Sequence, residues 1–278
     1  MIKPMLAHKV DQTKIDYSKP VFMQPKLDGV RCVIALEDNQ VIARSRTGKQ
    51  WLNIQHITES LQKFFVSNPH AVLDGELYNH ELRNDFEQII SLVRKQKPTP
   101  YDRAEAAIFV QFHCYDFVSS RNFSDRRKAL QTMDIYSDCV MFVDTMFVVT
   151  EADSIEKHKR NLAAGYEGSI LRLNAPYECK RSHNLQKFKD FHDTEATIVD
   201  FVEGKGKRAG TLGKFIMRDA DGITFGCPPG KGFTHSMLAD ILNNIKDYLG
   251  QQATFTYFER TKANSYRHPQ FKILRNYE

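Results

Sequence analysis

The sequence lacks the features that mark exported and membrane-spanning proteins. No run of 18 apolar residues occurs in its 278 residues, and Pro4, His8 and Lys9 interrupt the amino-terminal segment before an apolar signal-peptide core can form. The five cysteines are scattered and never form a Cys-x-x-Cys pair, which argues against a disulfide framework and against a structural zinc site. We therefore expect a soluble protein of a reducing, cytoplasmic compartment without a membrane partner, in keeping with a viral or bacterial intracellular setting.

Two common phosphate-binding signatures are also missing. No Gly-x-x-x-x-Gly-Lys-Ser/Thr loop surrounds any Gly-Lys pair, and no Gly-x-Gly-x-x-Gly motif follows a strand-like segment. The sequence also contains no internal repeat and no low-complexity linker. If a nucleotide binds to this chain, groups outside these motifs must hold its phosphates.

Hydrophobic residues are present in sufficient number for one large or two smaller domains, at 41% of the chain, and the formal net charge is +5. Basic residues are concentrated in two stretches. Residues 204–214 contain Lys205, Lys207, Arg208 and Lys214 without an acidic residue, and residues 260–275 interleave five basic residues with two aromatic ones. Each stretch alone fits a solvated loop or tail, but together they favour contact with a nucleic acid backbone.

The first 190 residues predict an α+β domain with mixed, largely antiparallel strands. Two β segments joined by Asp38 and Asn39 predict a hairpin. Short apolar runs at 72–78, 108–118, 140–149, 168–173 and 185–191 predict further strands. Capping signals and 3.6-residue periodicity predict helices at 55–66, 80–96, 124–133 and 152–164.

After Asp190 the sequence consists of short strand-like segments separated by glycine and turn residues, with one helix predicted at about 234–249 that ends before Gly250. Ninety residues of this kind suit a five-stranded OB-fold β-barrel. We therefore expect two domains, at residues 1–189 and 190–278.

The stretch QPKLDGVRC, residues 24–32, places polar groups within an apolar region. In an extended segment alternate side chains share a face, so Lys26 and Asp28 point the same way while Leu27 faces the core. Gly29 then allows a turn or a close backbone approach. An ion-paired turn is the alternative interpretation of this motif taken alone.

The same spacing occurs twice more. Asp74 and Glu76, on either side of Gly75, project to one face of an extended strand. Lys187 and Lys189, on either side of Phe188, do the same. Each like-charged pair destabilises its strand unless a counter-ion is present, which a divalent cation and a polyphosphate would supply. Glu167 adds a further acid at the start of a strand. Solvated edge strands are the alternative for each motif considered singly.

These motifs, in this order, resemble those of a known family over nearly the whole chain. The family is the small ATP-dependent DNA ligases of the covalent nucleotidyltransferase superfamily, which consist of an adenylation domain followed by an OB-fold domain. The motifs that carry the resemblance are PMLA, KLDGVR, SRTG, LDGELY, CYDFV, EGSILR, QKFK and EATIVDFVEGKGKRAGTLG. The last of these favours DNA ligases over RNA-joining or cap-forming relatives.

The resemblance implies a role in nucleotide chemistry for residues of the first domain. Lys26 would accept AMP from ATP as the nucleophile, Arg31 would hold the ribose, and Tyr115 would stack on adenine. Glu76 would contact the ribose or a metal ion. The nucleotide phosphates would be bound by two lysines, Lys187 and Lys189.

The resemblance also implies metal and DNA contacts. Mg²⁺ would be held by Asp28, Glu76 and Glu167. DNA contacts are expected from Arg46 at the 5′-phosphate of the nick, from Arg181, and from Lys205, Lys207 and Arg208. Family members often end in Arg-x-Asp-Lys, whereas this sequence ends in Arg275-Asn276-Tyr277-Glu278, in which Arg275 is the expected remnant.

The nucleophile must be a neutral amine. A free lysine has a pKa of about 10.4, so only about one amine in a few thousand is neutral at pH 7. Asp28 would favour the charged form, so the surrounding cations must outweigh it, which is a second reason to expect Mg²⁺, Lys187 and Lys189 close to Lys26. Asp28 is then better suited to bind a metal or to orient the 3′-hydroxyl.

The predicted activity is the sealing of nicks in duplex DNA by a monomer, in three steps. Lys26 is adenylated with release of pyrophosphate, AMP moves to the 5′-phosphate at the nick, and the 3′-hydroxyl displaces AMP. Two alternatives stay open on the sequence alone. One is an RNA ligase or a GTP-using capping enzyme with the same nucleophile motif, and the other is a non-catalytic OB-type nucleic-acid-binding protein.

Overall fold

A computed structural model of the chain describes residues 2–83, 85–135, 137–261 and 263–275. The chain divides between Phe188 and Lys189 into two compact units, one residue from the boundary expected on the sequence. None of the helices in the described ranges combines the length and the apolar composition needed to cross a bilayer.

Two five-stranded sheets form the first unit. Its strands are β1 (Leu6–Lys9), β2 (Val21–Lys26), β3 (Val30–Glu37), β4 (Gln40–Arg44), β5 (Val72–Tyr78), β6 (Gln111–Phe117), β7 (Val140–Phe142), β8 (Met146–Val148), β9 (Gly168–Leu173) and β10 (Arg181–Phe188). Sheet A has the order β1-β10-β9-β2-β8 and sheet B the order β4-β3-β5-β6-β7. Most neighbouring strands are antiparallel, while β1/β10 and β6/β7 are parallel. The predicted mixed, largely antiparallel domain is confirmed.

The predicted hairpin is β3 and β4. Glu37 pairs with Gln40, and Asp38 and Asn39 between them have φ angles of 48° and 62°. Two successive residues with positive φ give the turn whose twist matches that of the strands, and Asp and Asn tolerate this conformation better than other non-glycine residues.

The helices of the first unit follow the sequence prediction in part. They are α1 (Gln55–Ser60), α2 (Gln62–Ser67), α3 (Phe86–Val93), α4 (Pro100–Phe109), α5 (Phe123–Gln131) and α6 (Glu151–Ala163). The helix predicted at 55–66 is interrupted at Leu61, and that at 80–96 is a 3-10 turn followed by α3, which Asp85 caps. Asn84, within that predicted helix, lies outside the described residues.

Helix α4 is absent from the sequence-based prediction, although its start carries a signal. Thr99 accepts a hydrogen bond from the Asp102 backbone, the Asp102 side chain accepts one from the Thr99 backbone, and Pro100 occupies the first helical position. This reciprocal capping satisfies two of the backbone donors at the helix start. The apolar run predicted as a strand at 108–118 therefore begins inside a helix, and its strand is limited to Gln111–Phe117.

The second unit is a five-stranded barrel with one α-helix in its described part, α7 (His235–Asn243). The strands of the second unit are β11 (His192–Glu203), β12 (Leu212–Arg218), β13 (Thr224–Cys227), β14 (Gln252–Tyr257), β15 (Glu259–Arg260), β16 (Tyr266–Arg267) and β17 (Gln270–Leu274). Five of them form the main sheet, in the order β13-β12-β11-β14-β17. The backbone of Phe271 forms hydrogen bonds with the backbone at Pro228 and Gly230, and these bonds join the two ends of the sheet. The predicted OB-fold barrel is confirmed.

The basic stretch at 260–275 is part of this barrel and not an open tail. Four of its basic residues form ion pairs with acids of the same unit: Arg260 with Asp219 at 3.0 Å, Lys272 with Asp193 at 2.6 Å, Arg267 with Glu259, and Arg275 with Glu195. Lys262 and residues 276–278 lie outside the described residues. The alternative interpretation of this stretch as a solvated tail is wrong, because the barrel strands bring acids of the same unit beside these cations.

Candidate active site

Both sheets of the first unit contribute to a cavity of about 260 Å³. Six lysine and arginine side chains line it, against one acidic side chain, Glu76. The six cationic residues are Lys26, Arg31, Arg46, Arg172, Arg181 and Lys187. This excess of positive charge in a concave site suits a phosphate-bearing ligand.

A second cavity, of about 730 Å³, lies near α2, the loop that follows it and α5. None of the residues that the sequence analysis assigns to the chemistry lines this cavity. We therefore place the candidate active site in the smaller cavity, where the predicted residues converge.

The register of sheet A explains which side chains face the smaller cavity. Gln24 of β2 pairs with Ile170 of β9, and Ile170 pairs with Lys187 of β10. Directly paired residues project to the same face of a sheet, so these three form one row, and all three line the cavity. Lys26 lies on this face as well, two residues beyond Gln24.

Glu167 and Gly168, at the start of the neighbouring strand β9, hold Lys26 in position. It pairs with Gly168, its carbonyl accepts a hydrogen bond of 3.1 Å from the Glu167 backbone N–H, and its Nζ forms an ion pair with the Glu167 carboxylate. The Lys26 side chain is 21% exposed and that of Glu167 only 4%. Gly168 has a φ of 151°, and a Cβ there would lie 2.3 Å from the Phe188 carbonyl oxygen, so this position requires glycine.

The turn after Lys26 also depends on a glycine. A Cβ on Gly29 would lie 2.4 Å from the carbonyl oxygen of Leu77 in β5, which confirms the close backbone approach expected from the motif. This approach brings the turn that follows β2 of sheet A against β5 of sheet B. Asp28 lies in the same turn and is partly buried, but it does not line the cavity.

The sheet B wall contains a buried ion pair. Arg31 binds Asp74 with both ends of its guanidinium, at 2.6 and 2.5 Å, and also donates to the Met5 carbonyl at 3.0 Å. Asp74 accepts a further hydrogen bond of 2.7 Å from the Tyr177 hydroxyl. The interpretation that Asp74 and Glu76 require a divalent cation is therefore wrong for Asp74, because Arg31 already neutralises it.

Glu76 is the acid that faces the cavity. Burial raises the pKa of its carboxyl to about 7, against the opposing effects of the Arg31 and Lys26 cations. The Tyr115 hydroxyl donates a hydrogen bond of 3.3 Å to one of its oxygens. At neutral pH Glu76 is therefore poised between its charged and neutral forms.

Tyr115, which lines the cavity, lies where the pairing of β6 with β5 is irregular. Pairing with β5 shifts between Asp74 and Gly75, so that Cys114 and Asp116 have partners in β5 and Tyr115 between them has none. Such a bulge changes the direction of a side chain. The Tyr115 ring has the guanidinium carbons of Arg31 and Arg172 at 5.2 and 5.4 Å from its centroid.

A buried network that the sequence analysis missed holds Arg172 and Tyr115. Arg172 donates to Gln24 at 2.6 Å and to Asp116 at 2.6 Å, and Gln24 donates to the Tyr115 carbonyl at 3.0 Å. Asp116, which is fully buried, also binds Arg126 at 2.7 Å. Asp116 follows Tyr115 in the CYDFV motif and Arg172 ends EGSILR, so the motifs contained both residues, but no local pattern indicates that they meet.

The strand that carries Lys187 ends before Lys189. Lys187 lies in β10 and lines the cavity, whereas β10 ends at Phe188 and Lys189 belongs to the second unit. There the Lys189 Nζ lies 4.4 Å from the centroid of the Phe258 ring. The strand predicted over 185–191 thus begins and ends earlier than expected, at Arg181 and Phe188.

Of the residues predicted to contact DNA, two line the cavity. Arg46 lies in the loop after β4, and Arg181, the first residue of β10, donates to the Ala7 carbonyl at 2.5 Å. The other three, Lys205, Lys207 and Arg208, are exposed in the loop between β11 and β12 of the second unit.

The metal ligands predicted on the sequence do not form a preassembled site. Among the described residues, no group of three or more His, Cys, Asp or Glu side chains is arranged to hold a metal ion. Glu167 binds Lys26, and Glu76 faces the cavity from the other sheet. Mg²⁺ commonly binds through one or two carboxylates together with substrate phosphates, so Glu76 and Glu167 fit such an ion only in the presence of a nucleotide.

Comparison with known families agrees with this geometry. A family model described as ATP dependent DNA ligase domain matches residues 4–189, and a model described as DNA ligase OB-like domain matches residues 203–275. The chain belongs to the ATP-dependent DNA ligase domain family. The two matched regions correspond to the two units of the structure, a nucleotidyltransferase domain followed by an OB domain.

Relatives within this ligase family include viral and archaeal proteins. The DNA ligase of African swine fever virus (isolate Tick/South Africa/Pretoriuskop Pr4/1996) is 28% identical over 228 residues, which cover 76% of this chain and 52% of the viral protein. The DNA ligase of Nitrosopumilus maritimus (strain SCM1) is 24% identical over 269 residues, which cover 87% of this chain and 46% of that protein. This chain therefore spans about half the length of the curated relatives it matches.

A solved ligase structure shares the whole fold. It comes from a structure-function study of DNA binding by Lig E DNA ligases, and it superposes with a TM-score of 0.80 and 24% sequence identity, covering 99% of this chain and 100% of its own. A ligase structure that is matched over its full length thus has the same fold, in which an OB domain follows a nucleotidyltransferase domain.

Proposed function

We propose that this chain is an ATP-dependent DNA ligase that carries AMP on Lys26 and seals nicks in duplex DNA as a monomer. One observation carries the proposal. Lys26 presents its amine in a cavity that six cationic side chains line, beside the nearly buried Glu167, in a chain of the ligase family. A lysine in this position can attack a phosphorus atom, and the surrounding cations stabilise the charge on the phosphates.

In the first step the Lys26 nitrogen forms a bond to the α-phosphorus of ATP while the bond to pyrophosphate breaks. The ammonium must lose a proton first, and its ion pair with Glu167 stabilises the charged form. Binding of ATP therefore has to draw Glu167 away from Lys26. Arg172 and Lys187 line the same cavity, and as cations they favour the neutral form of the amine.

The nucleotide is held by groups from both sheets. The Tyr115 ring offers a flat face on which adenine can stack. The neighbouring guanidinium groups of Arg31 and Arg172 help to position this ring. Glu76, Arg31 and Lys187 line the cavity, which supports the proposal that Glu76 and Arg31 bind the ribose and Lys187 the phosphates. Lys189 is proposed for the phosphates through the family resemblance alone.

Mg²⁺ would be held by Glu167 and Glu76, and when bound it would neutralise charge on the phosphates. Asp28 does not line the cavity and is proposed as a further ligand through the family resemblance alone. In the later steps AMP passes from Lys26 to the 5′-phosphate of the nick, and the 3′-hydroxyl then displaces AMP. Arg46 and Arg181 at the cavity are proposed to bind the nicked strand. The exposed loop of the second unit, with Lys205, Lys207 and Arg208, is proposed to bind the duplex backbone.

The deciding experiment is self-labelling with α-labelled ATP and Mg²⁺. We expect wild-type protein to acquire a covalent label and Lys26→Ala to acquire none. Lys26→Arg should also fail, because the guanidinium keeps the positive charge but stays protonated and is no nucleophile. Lys19→Ala, which removes a lysine with a 77% exposed side chain from the same unit, serves as the matched control and should label normally.

Further arms of the same assay separate the competing activities. Labelling by GTP in preference to ATP would indicate a capping-type enzyme, and joining of nicked RNA in preference to nicked DNA would indicate an RNA ligase. A protein that binds DNA but takes no label from any nucleotide would be a non-catalytic binding protein. A labelled band in Lys26→Ala would refute the assignment of the nucleophile.

A further inference from the structure

The row of residues on the cavity face of sheet A continues beyond the cavity. Gln24, Ile170 and Lys187 form this row across β2, β9 and β10. On its other side Lys187 pairs with Lys9 of β1. Because directly paired residues project to the same face of a sheet, Lys9 extends the row by one strand.

Lys9 lies at the edge of the sheet. β1 is the terminal strand of sheet A, and Lys9 is exposed whereas Lys187 is partly buried. β1 stands three strands from β2, which at about 4.8 Å per strand places it roughly 14 Å from the strand that carries Lys26. Lys9 is not among the residues that line the cavity, in which a nucleotide with its α-phosphorus at Lys26 would be held, so a phosphate at Lys9 would lie outside that cavity.

The same edge carries further positive charge. Arg181 at the start of β10 donates to the Ala7 carbonyl in β1, and Lys187 lies near the end of β10. Two ammonium groups at paired positions favour an anion between them. Exposed ion pairs contribute little to stability, so Lys9 can exchange a protein partner for a DNA phosphate at little cost.

We propose that Lys9 binds a backbone phosphate of the DNA substrate, so that the nucleic acid crosses the β1 edge of sheet A on its way to the cavity. The proposal rests on the DNA ligase function proposed above and adds to it one contact and a path for the DNA. The contact is to phosphate, so it is independent of base sequence.

The test is the salt dependence of binding to nicked DNA for Lys9→Ala, with Lys19→Ala as the matched exposed-lysine control. Loss of one phosphate contact lowers the slope of log affinity against log salt by about 0.9, so the deficit of Lys9→Ala relative to wild type should shrink about 3.5-fold between 50 and 200 mM salt. Lys9→Arg should restore the wild-type slope, because any cation neutralises the phosphate. Self-labelling with ATP should be unchanged in all three variants.

A Lys9→Ala slope equal to that of wild type and of Lys19→Ala overturns this inference. Loss of self-labelling at unchanged DNA affinity also overturns it, since Lys9 would then act on the nucleotide. Wild-type protein that neither labels with ATP nor joins nicked DNA refutes the proposed function, and the inference with it. Wild-type protein that joins DNA while Lys9→Ala keeps the wild-type slope refutes the inference alone.

Discussion

Replacing Glu76 by glutamine tests whether burial in the cavity disfavours the charged form of the Glu76 carboxyl. Burial raises its pKa from 4.5 to about 7 in the folded chain. Between these two values the folded protein binds a proton that the unfolded chain has released, so the free energy of unfolding falls as pH rises through this window. Glutamine resembles the protonated acid and does not titrate, so the Glu76→Gln variant lacks this loss of stability.

The size of the effect follows from the two pKa values. One pH unit corresponds to about 1.36 kcal/mol, so the full shift is worth about 3 kcal/mol at most, of which about 2.5 kcal/mol falls between pH 5 and pH 8. The value is an upper limit because the side chain is only partly buried and solvent screens its charge. We therefore expect Glu76→Gln to gain 1 to about 2.5 kcal/mol relative to wild type between these pH values.

Urea unfolding at pH 5 and pH 8 measures this difference, and the protein supplies its own probe. Trp51 is the one tryptophan in the sequence, it is 8% exposed, and its indole donates to the Arg31 carbonyl at 3.2 Å, so its fluorescence reports on the unit that contains the cavity. Glu87→Gln in α3, an exposed position, controls for the loss of one carboxylate. Parallel pH dependence of wild type and Glu76→Gln would refute the argument.

Two further predictions concern the residues around Tyr115. Base stacking contributes about 1–3 kcal/mol, so Tyr115→Ala should raise the KM for ATP in self-labelling by about 5-fold or more. Tyr115→Phe keeps the ring and should change this KM less than about 2-fold. Equal losses in the two variants would contradict stacking. Asp116→Asn leaves Arg126 and Arg172, whose side chains are 2% and 4% exposed, without their common carboxylate. We expect it to lower the free energy of unfolding by about 3–5 kcal/mol in urea, and a loss below about 1 kcal/mol would show that the buried ion triad is unimportant.

The sequence predicted best those features that depend on neighbouring residues. The β3/β4 hairpin follows from Asp38 and Asn39, and the OB barrel follows from a series of short strands with glycine turns. Helix α4 could also have been predicted, because Thr99, Pro100 and Asp102 form a capping signal. The cause of that error was the apolar run that continues from α4 into β6.

Features that depend on pairing between distant strands were not predictable in the same way. Alternation along one strand placed Lys187 beside Lys189, but the structure ends that strand at Phe188 and pairs Lys187 with Lys9, 178 positions earlier. Alternation also gave no indication that Tyr115 occupies a bulge. A period-2 pattern specifies faces only while the register is regular.

The acids of the site have a shared physical role. A cavity that six cations line would be destabilised by their mutual repulsion in the absence of a phosphate ligand. Three carboxylates reduce that repulsion from positions that are nearly inaccessible to solvent: Asp74 at Arg31, Asp116 at Arg172, and Glu167 at Lys26. Asp74 and Asp116 bind their arginines through several hydrogen bonds and accept others, so they fix the walls, whereas Glu167 binds the proposed nucleophile. Under the proposed function the first two carboxylates position the site, and the third releases Lys26 when a nucleotide binds.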